Sequence, residues 1–190
     1  MRALLIVTIL FACLLMSGCS ALIVTGAATG AVASQDRRDV STQLEDEKTE
    51  IKSFTSIFKN DELWKNTNIN VISYNNIILM VGQAPTAELK QKATEEIKKI
   101  AKDKKILNQV RIAAPISFFA RRNDEYLTTK VKSSMFFTSD FKASKIKVVT
   151  ENSEVFLMGL VTREESEKAV DIARNIDGVT KVIKAFEFLN

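Results

Sequence analysis

Apolar and polar positions follow the same order twice along the chain. Residues 69–82, two apolar segments separated by Asn75-Asn76, align with residues 146–159 at an offset of 77. After the glycine that ends this segment, the second copy is one residue shorter than the first. Two further matches therefore follow at an offset of 76: residues 86–93 align with 162–169, and residues 106–112 align with 182–188. Matches at a nearly constant offset, each with the same period in both copies, are typical of an internal duplication. The sequence therefore predicts two tandem modules of one fold.

Each module is predicted to begin with a helix and a hairpin. The helices are expected near residues 48–60 and 124–137. The hairpin turns are placed where Asn tolerates the positive φ that a two-residue turn requires, at Asn75-Asn76 and at Asn152-Ser153. The second strand of each hairpin is predicted to end at a glycine, Gly82 or Gly159.

A second helix and a third strand complete each module. Thr86 and Thr162 are the predicted N-caps, and Thr162 forms a capping box with Glu165. The helices are predicted to bury one apolar stripe each, Leu89, Ala93, Ile97 and Ile100 in the first copy and Ala169, Ile172, Ala173 and Ile176 in the second. A helix between two strands of one sheet implies a parallel crossover. The fold class is therefore α+β, with two tandem αββαβ modules, each a small mixed three-stranded sheet covered by two helices.

The N-terminus has the pattern of a bacterial lipoprotein signal. Residues 3–16 form an apolar run that is too short to span a bilayer comfortably, which takes about 20 residues, but suits a signal peptide. The run ends in Met16-Ser17-Gly18-Cys19, which resembles a lipobox, with Met16 where Leu is usual. The alternative is an ordinary secretory signal with an incidental cysteine. The predicted organisation is a signal peptide over 1–18, lipidated Cys19 and a flexible tether over 19–46, modules over 47–113 and 124–190, and a linker over 114–123.

Composition narrows the chemistry. The chain has no His, which excludes His-based catalytic triads and His metal ligands. Of its two cysteines, Cys13 lies in the signal peptide and Cys19 is the predicted lipid anchor, so no disulfide is expected. Pairs of neighbouring carboxylates do not converge on one point, and we predict no catalytic site, no metal site and no cofactor. An enzyme such as a wall hydrolase is the disfavoured alternative.

With two predicted αββαβ modules, the chain resembles the BON family of bacterial outer-membrane and nodulation proteins. The likeness is carried by residues 38–43, 128–131, 138–140 and 150–162, and with the lipobox it extends to outer-membrane lipoproteins with two such modules. The resemblance implies an αββαβ fold, binding of anionic phospholipid through the second module, support of envelope integrity, recruitment to division sites, and no catalysis. The family often has Gly before the last strand; Gly178 fits, whereas Lys102 stands at that point of the first copy.

The first helix of the second module is the candidate binding site. Leu127, Val131 and Met135 fall on one face and are predicted to be core. The opposite side combines aromatic and basic residues, as an interfacial helix does. The predicted phospholipid-binding residues are Tyr126, Thr129, Lys130, Lys132, Ser133, Phe136 and Phe137. The corresponding helix of the first module is predicted to place Ile51, Phe54 and Phe58 in the core and Lys52, Ser53, Ser56 and Lys59 outside, without an aromatic cluster. Trp64 is expected to cap the core, with the interface between the modules as the alternative.

Three alternatives stay open at this point. Phe136 and Phe137 could pack against the other module instead of a membrane. The same helix could hold a protein partner, as in a chaperone-like periplasmic adaptor or a protein that recruits envelope or cell-wall-remodelling proteins. The lysines of the first module's second helix, chiefly Lys98, Lys99 and Lys102, could attract anionic lipid, although charge without apolar insertion is screened by salt. Nucleic acid is not an expected partner, since the predicted signal exports the chain to the periplasmic side of the outer membrane.

Overall fold

The computed structural model describes residues 36–189, which form a compact unit. The first module contains α1 (Val40–Lys59), α2 (Asp61–Asn66), β1 (Asn68–Tyr74), β2 (Ile77–Ala84), α3 (Ala87–Ile100), β3 (Lys105–Asn108) and β4 (Arg111–Ile112). The second contains α4 (Phe118–Phe137), a 3-10 turn (Ala143–Lys145), β5 (Lys147–Glu151), β6 (Glu154–Val161), α5 (Arg163–Arg174) and β7 (Lys181–Phe188).

Both modules have the predicted αββαβ order. In the first, β1 pairs antiparallel with β2, and β3 and β4 both pair parallel with β2. In the second, β5 pairs antiparallel with β6, and β6 pairs parallel with β7. The last strand of the first module is interrupted, because the Asn108 side chain accepts a hydrogen bond from the Val110 backbone N–H at 3.0 Å. Its sheet therefore counts four strands where three were predicted.

The hairpin turns are fixed by buried carboxylates from the first helices. All four turn residues have positive φ, as predicted: Asn75, Asn76, Asn152 and Ser153. Asp124 accepts hydrogen bonds from the backbone N–H groups of Asn152 and Ser153 at 2.7 and 2.8 Å. Asp46 accepts one from Asn75 at 2.8 Å and another from the Ser73 hydroxyl at 2.6 Å. These bonds join each hairpin to the helix that covers it.

The predicted ends of the second strands were slightly short. β2 and β6 continue two residues beyond Gly82 and Gly159, to Ala84 and Val161. At Gly82 φ is +114°, and a Cβ there would lie 1.8 Å from the Asn68 carbonyl oxygen. The glycine is required because the strand twists there with its backbone against β1.

Three apolar cores define four layers. One core lies between the first sheet and its helices and contains Ile57, Ile78, Met80 and Ile97. A second lies between the other sheet and α4 and α5, around Val131, Met135, Leu157 and Ala169. The third joins the two sheets face to face, with Ile72, Tyr74, Leu79 and Val81 against Phe156, Met158 and Ala185. The order of layers is therefore helices, sheet, sheet, helices, with the two helix layers on opposite sides.

The first helices begin earlier than predicted. α1 starts at Val40, where Asp39 accepts a capping hydrogen bond from Thr42 N–H, so the prediction of a flexible tether over 19–46 is wrong from Val40 onward. α4 starts at Phe118, capped by Ser117, inside the expected linker. Within residues 36–189, no helix is long and apolar enough to cross a membrane. The predicted signal peptide, Cys19 and most of the tether lie outside the described residues.

Candidate functional site

The orientation of α4 is set by its buried face. Leu127, Val131 and Met135 are fully buried, which confirms the predicted core stripe. Asp124 is buried on the same side and holds the β5–β6 turn. Because both apolar packing and a charged hydrogen bond fix this face against the sheet, the opposite face of the helix lies on the outer surface of the module.

The outer face of α4 carries the residues predicted to bind phospholipid. Tyr126, Phe136 and Phe137 are 60%, 72% and 80% exposed. Among the polar members of the set, Thr129, Lys132 and Ser133 are exposed and Lys130 is half-buried. Since both Phe136 and Phe137 are exposed, the alternative that they pack against the first module is wrong.

Two further aromatic residues of this face were missed by the sequence analysis. Phe118 and Phe119 are 67% and 83% exposed. Phe118 precedes Phe136 by eighteen residues, which is five full helical turns, so both lie on one face about 27 Å apart. The two pairs are alike, with ring centroids 5.9 Å apart in Phe118–Phe119 and 5.3 Å apart in Phe136–Phe137. Ser117 as an N-cap, and the Phe-Phe pair repeated at this spacing, were the signals that could have found them.

Cationic side chains lie among these rings. The Lys130 ammonium is 5.4 Å from the Tyr126 ring centroid, and the Arg122 guanidinium is 5.6 Å from that of Phe118. Arg122 also pairs with Glu125 at 2.8 Å, but both side chains are 65% exposed, so water competes with this pair. Lys132 has no ion pair within residues 36–189. It lines a shallow groove of about 590 Å³ with Ser133, Phe136, Phe137, Ala143 and Ile146.

Some lysines in and after the second helix of the first module are held in ion pairs. Lys92 pairs with Glu62, and Lys99 pairs with Glu96 at 2.7 Å. Lys104 is 10% exposed and lies 3.6 Å from a carboxylate oxygen of Asp46. Lys98 and Lys102 are exposed and have no ion pair within residues 36–189, and the pairs of Lys92 and Lys99 are largely exposed, so these pairs do not argue against the electrostatic alternative.

The predicted orientation of α1 is wrong. Ile51, Phe54 and Phe58 are 64%, 58% and 51% exposed, whereas Ser53, expected outside, is fully buried. The core face consists of Asp46, Thr49, Ser53 and Ile57. The buried hydroxyl of Ser53 donates to the Thr49 carbonyl oxygen at 2.7 Å, so it is satisfied within the helix. Small residues allow α1 to approach the sheet closely, and the larger apolar side chains are left outside.

The first module consequently has an aromatic cluster, contrary to prediction. Trp64 is 47% exposed and lies outside the core. Its ring centroid is 5.9 Å from that of Phe54 and 5.0 Å from that of Phe58, with edge-to-face geometry in both pairs. The outside of α1 and the outside of α4 thus both present aromatic side chains, on opposite sides of the four layers.

The strongest electrostatic perturbation has a structural cause. The pKa of Glu165 is lowered to about 2; desolvation opposes this shift, but hydrogen bonds from Arg37 and Lys145 outweigh it. Arg37 donates to both carboxylate oxygens, at 2.6 and 2.9 Å, and also to the Leu160 carbonyl oxygen at 3.1 Å. Glu165 simultaneously closes the capping box with Thr162. Within residues 36–189, no cluster of three acidic side chains could hold a metal ion.

Comparisons with known proteins agree with this architecture. The BON-domain family model matches residues 46–114 and 123–190. Outer membrane lipoprotein DolP of Haemophilus influenzae is 37% identical over 182 residues, covering 96% of this chain and 94% of that protein. A 21 kDa hemolysin of Actinobacillus pleuropneumoniae is 35% identical over 158 residues, 81% of this chain and 79% of the relative. The C-terminal domain of CdsD, a structural protein of the Type III secretion system of Chlamydia trachomatis, aligns with 76% of this chain and 67% of its own at 16% identity and a TM-score of 0.30. The chain belongs to the BON family and contains two BON domains in tandem.

Proposed function

We propose that this chain is a non-catalytic outer-membrane lipoprotein that binds anionic phospholipid through its second BON module. The likeness to a relative named as an outer membrane lipoprotein, over nearly the full length of both chains, supports the location. The Met16–Cys19 lipobox supports acylation of Cys19 as the anchor, with the modules on the periplasmic side. The name of the hemolysin relative also fits a protein that contacts membranes.

The binding surface is the outer face of α4. The observation that carries this proposal is the row of exposed aromatic residues along the whole helix, Phe118, Phe119, Tyr126, Phe136 and Phe137, with Lys130 and Lys132 beside them. Rings of this kind insert at the headgroup level of a bilayer, where apolar burial contributes the affinity. Each lysine close to an anionic surface contributes about 1 kcal/mol, mostly by attraction to lipid phosphate.

This activity requires no chemical step. The helix lies on the membrane surface, the lipid anchor keeps the chain there, and the remaining surfaces of the two modules are presented to the periplasm. We infer that the protein supports envelope integrity in this way, with division sites as the place of recruitment that its family resemblance implies. Envelope or cell-wall-remodelling proteins are the partners for those remaining surfaces.

The test is flotation of the 20–190 fragment with liposomes, with no other protein present. We expect binding to vesicles that contain anionic lipid and much weaker binding to neutral ones. Phe136→Ser with Phe137→Ser should reduce binding at least tenfold without unfolding the module, since both side chains are more than two-thirds exposed. Phe54→Ser with Phe58→Ser is the matched control, because it removes two exposed Phe residues from the other helix layer.

Each result has a defined meaning. If only the Phe136 and Phe137 change weakens binding, the second module binds the membrane. If only the Phe54 and Phe58 change does so, the wrong module has been assigned. If the fragment binds no liposomes, the outer face of α4 serves a protein partner, as in the adaptor alternative, and lipid binding is refuted.

A further inference from the structure

β1 is an edge strand of the first sheet, and it lacks the charges that the other edges of the described sheets carry. Edge strands of natural proteins usually bear charged side chains or proline, which prevent another strand from pairing with them. Lys105 lies in β3, Arg111 in β4, Lys147 and Glu151 in β5, and three charged residues in β7. Residues 67–74 contain neither a charged residue nor proline. The sequence of β1 therefore leaves its edge open to pairing.

The main-chain groups along that edge point away from the sheet. Ser73 N–H donates to the Glu50 carboxylate at 2.8 Å, so this residue faces away from β2. Because orientation alternates along an antiparallel strand, the N–H and C=O groups of Ile69 and Val71 face outward as well. Within residues 36–189 these groups have no hydrogen-bond partner. Val71 is only 8% exposed, and buried main-chain groups in native proteins are nearly always paired, so this stretch of the edge lacks a partner strand.

An apolar groove runs beside the open edge. Its cavity of about 100 Å³ is lined on one side by residues 67–71 and on the other by Phe54, Ile57 and Trp64. Trp64 packs edge-to-face on Phe54, and its ring forms the outer wall. The cavity has room for one aliphatic side chain. We call the cavity and the adjoining edge of β1 the β1 groove.

We propose that the β1 groove binds an extended segment of another polypeptide, which adds a strand to the first sheet. The outward N–H and C=O groups match the main chain of such a segment, and the cavity takes one of its aliphatic side chains; strand addition to a sheet edge combines these two elements. Since α1 and α4 cover opposite sides of the stacked sheets, a membrane on α4 leaves the groove free. The proposal does not depend on lipid binding by α4.

The equivalent edge of the second module differs at the positions that matter. At the offset of 77 between the hairpins, Asn70 of β1 corresponds to Lys147 of β5. When α1 and α4 are aligned on the carboxylates that bind their hairpin turns, Phe54 corresponds to Lys132. One copy therefore has a charged edge and the other an uncharged edge beside an aromatic wall. The comparison also supplies a substitution that closes the groove, Asn70→Lys.

Binding of a synthetic peptide to the 20–190 fragment tests the proposal without lipid. The probe is a seven-residue peptide, acetylated and amidated, with Thr at the odd positions and Val, Leu and Val at the even ones. Trp64 is the only tryptophan of the chain, so its fluorescence should change saturably as the groove fills. Asn70→Lys should weaken binding roughly tenfold, because it places a charge on the open edge. Asn175→Lys, which changes an exposed Asn of the second module in the same way, is the matched control and should leave binding unchanged.

A second peptide separates strand pairing from apolar contact. N-methyl groups on its Leu and on the Val that follows keep the side chains but remove two main-chain donors, and this peptide should not bind. In the presence of the unmodified peptide, the amide hydrogens of Ile69 and Val71 should exchange with solvent roughly tenfold more slowly. Circular dichroism checks the fold of Asn70→Lys, whose side chain is exposed; the N-methylated peptide tests the pairing with no substitution in the protein.

Several outcomes overturn the proposal. Equal binding of the two peptides would mean that the groove collects apolar side chains and pairs with no strand. Binding that Asn70→Lys leaves intact would place the peptide away from the edge of β1. No saturable change with the unmodified peptide would refute the site, and liposomes that shift Trp64 fluorescence while the peptides do not would make this surface a lipid contact.

Discussion

Replacement of Arg37 by Ala tests how the chain just before α1 is held against the second module. Arg37 lies 128 residues from Glu165, and its guanidinium binds both oxygens of that carboxylate. A bidentate pair of this kind is stronger than a single hydrogen bond because the planar donors match the carboxylate. We expect Arg37→Ala to lower the free energy of unfolding and to make it less dependent on acid pH.

The magnitude follows from the titration of Glu165. Its pKa is about 2 in the folded chain, against an ordinary value of 4.5. The difference corresponds to about 3 kcal/mol of stability at neutral pH. Because the Arg37 and Glu165 side chains remain 27% and 24% exposed, and Lys145 keeps its own bond to Glu165 at 2.5 Å, we assign about 1–2 kcal/mol to Arg37.

The pH dependence has a definite sign. A carboxyl whose pKa is lowered by folding contributes stability that is fully present above about pH 4.5 and is lost as the pH falls toward about 2. Urea unfolding of the 20–190 fragment should therefore show Arg37→Ala less stable at pH 7, with the difference shrinking below about pH 3. Arg174→Ala is the control, since its pair with Asp171 is 66% and 57% exposed and should matter by less than about 0.5 kcal/mol.

Two results would refute this reasoning. Equal stability of the Arg37→Ala variant and the unsubstituted fragment at pH 7 would mean that the Arg37–Glu165 pair makes no net contribution to the free energy of unfolding. A loss that stays constant from neutral to acid pH would assign the effect to the bond with Leu160 or to the Arg37 stem, and not to the charge of Glu165.

Three other predictions concern single positions. Asp124→Ala should cost about 2–3 kcal/mol in urea unfolding, because two turn N–H groups lose a charged acceptor, and Asp124→Asn should recover part of that loss. Gly82→Ala should lower the melting temperature or prevent folding, because its Cβ would meet the Asn68 carbonyl oxygen and its φ is positive; a melting temperature equal to that of the unsubstituted chain would contradict the strand geometry. Cys19→Ala should abolish incorporation of a palmitate analogue while Cys13→Ala retains it, and label retained in the Cys19 variant would disprove the anchor.

Much of each module could be predicted from local rules. The hairpin turns depend on residues that tolerate positive φ, and the N-caps depend on Thr86 and Thr162, whose hydroxyls accept from backbone N–H groups three residues on. The core stripe of α4 was predictable as well, since Leu127, Val131 and Met135 are its apolar residues at helical spacing. Each of these features depends on residues close together in the sequence.

The orientation of α1 could not be predicted from apolarity. The helix has two candidate inner faces, and the more apolar one lies outside. The inner face is selected by tertiary demands: the carboxylate of Asp46 must reach the β1–β2 turn, and small residues such as Ser53 must allow a close approach to the sheet. The face-to-face stacking of the sheets has a signal in the sequence, namely the unbroken apolar run at the start of β2, which is typical of a strand buried on both sides.

The position of Arg37 and Arg38 links the fold to membrane attachment. Arg37 is held by the second module, and Arg38 lies 3.8 Å over the Tyr74 ring of the first and pairs with Asp46 at 2.9 Å. Arg37 and Arg38 therefore lie at the junction of the two modules, and the eighteen residues from Cys19 to Asp36 span at most about 60 Å. That length allows the anchor and the outer face of α4 to engage one bilayer. Binding by α4 then becomes an intramolecular step at high effective concentration, which strengthens the binding that the anchor-free fragment is expected to show by itself.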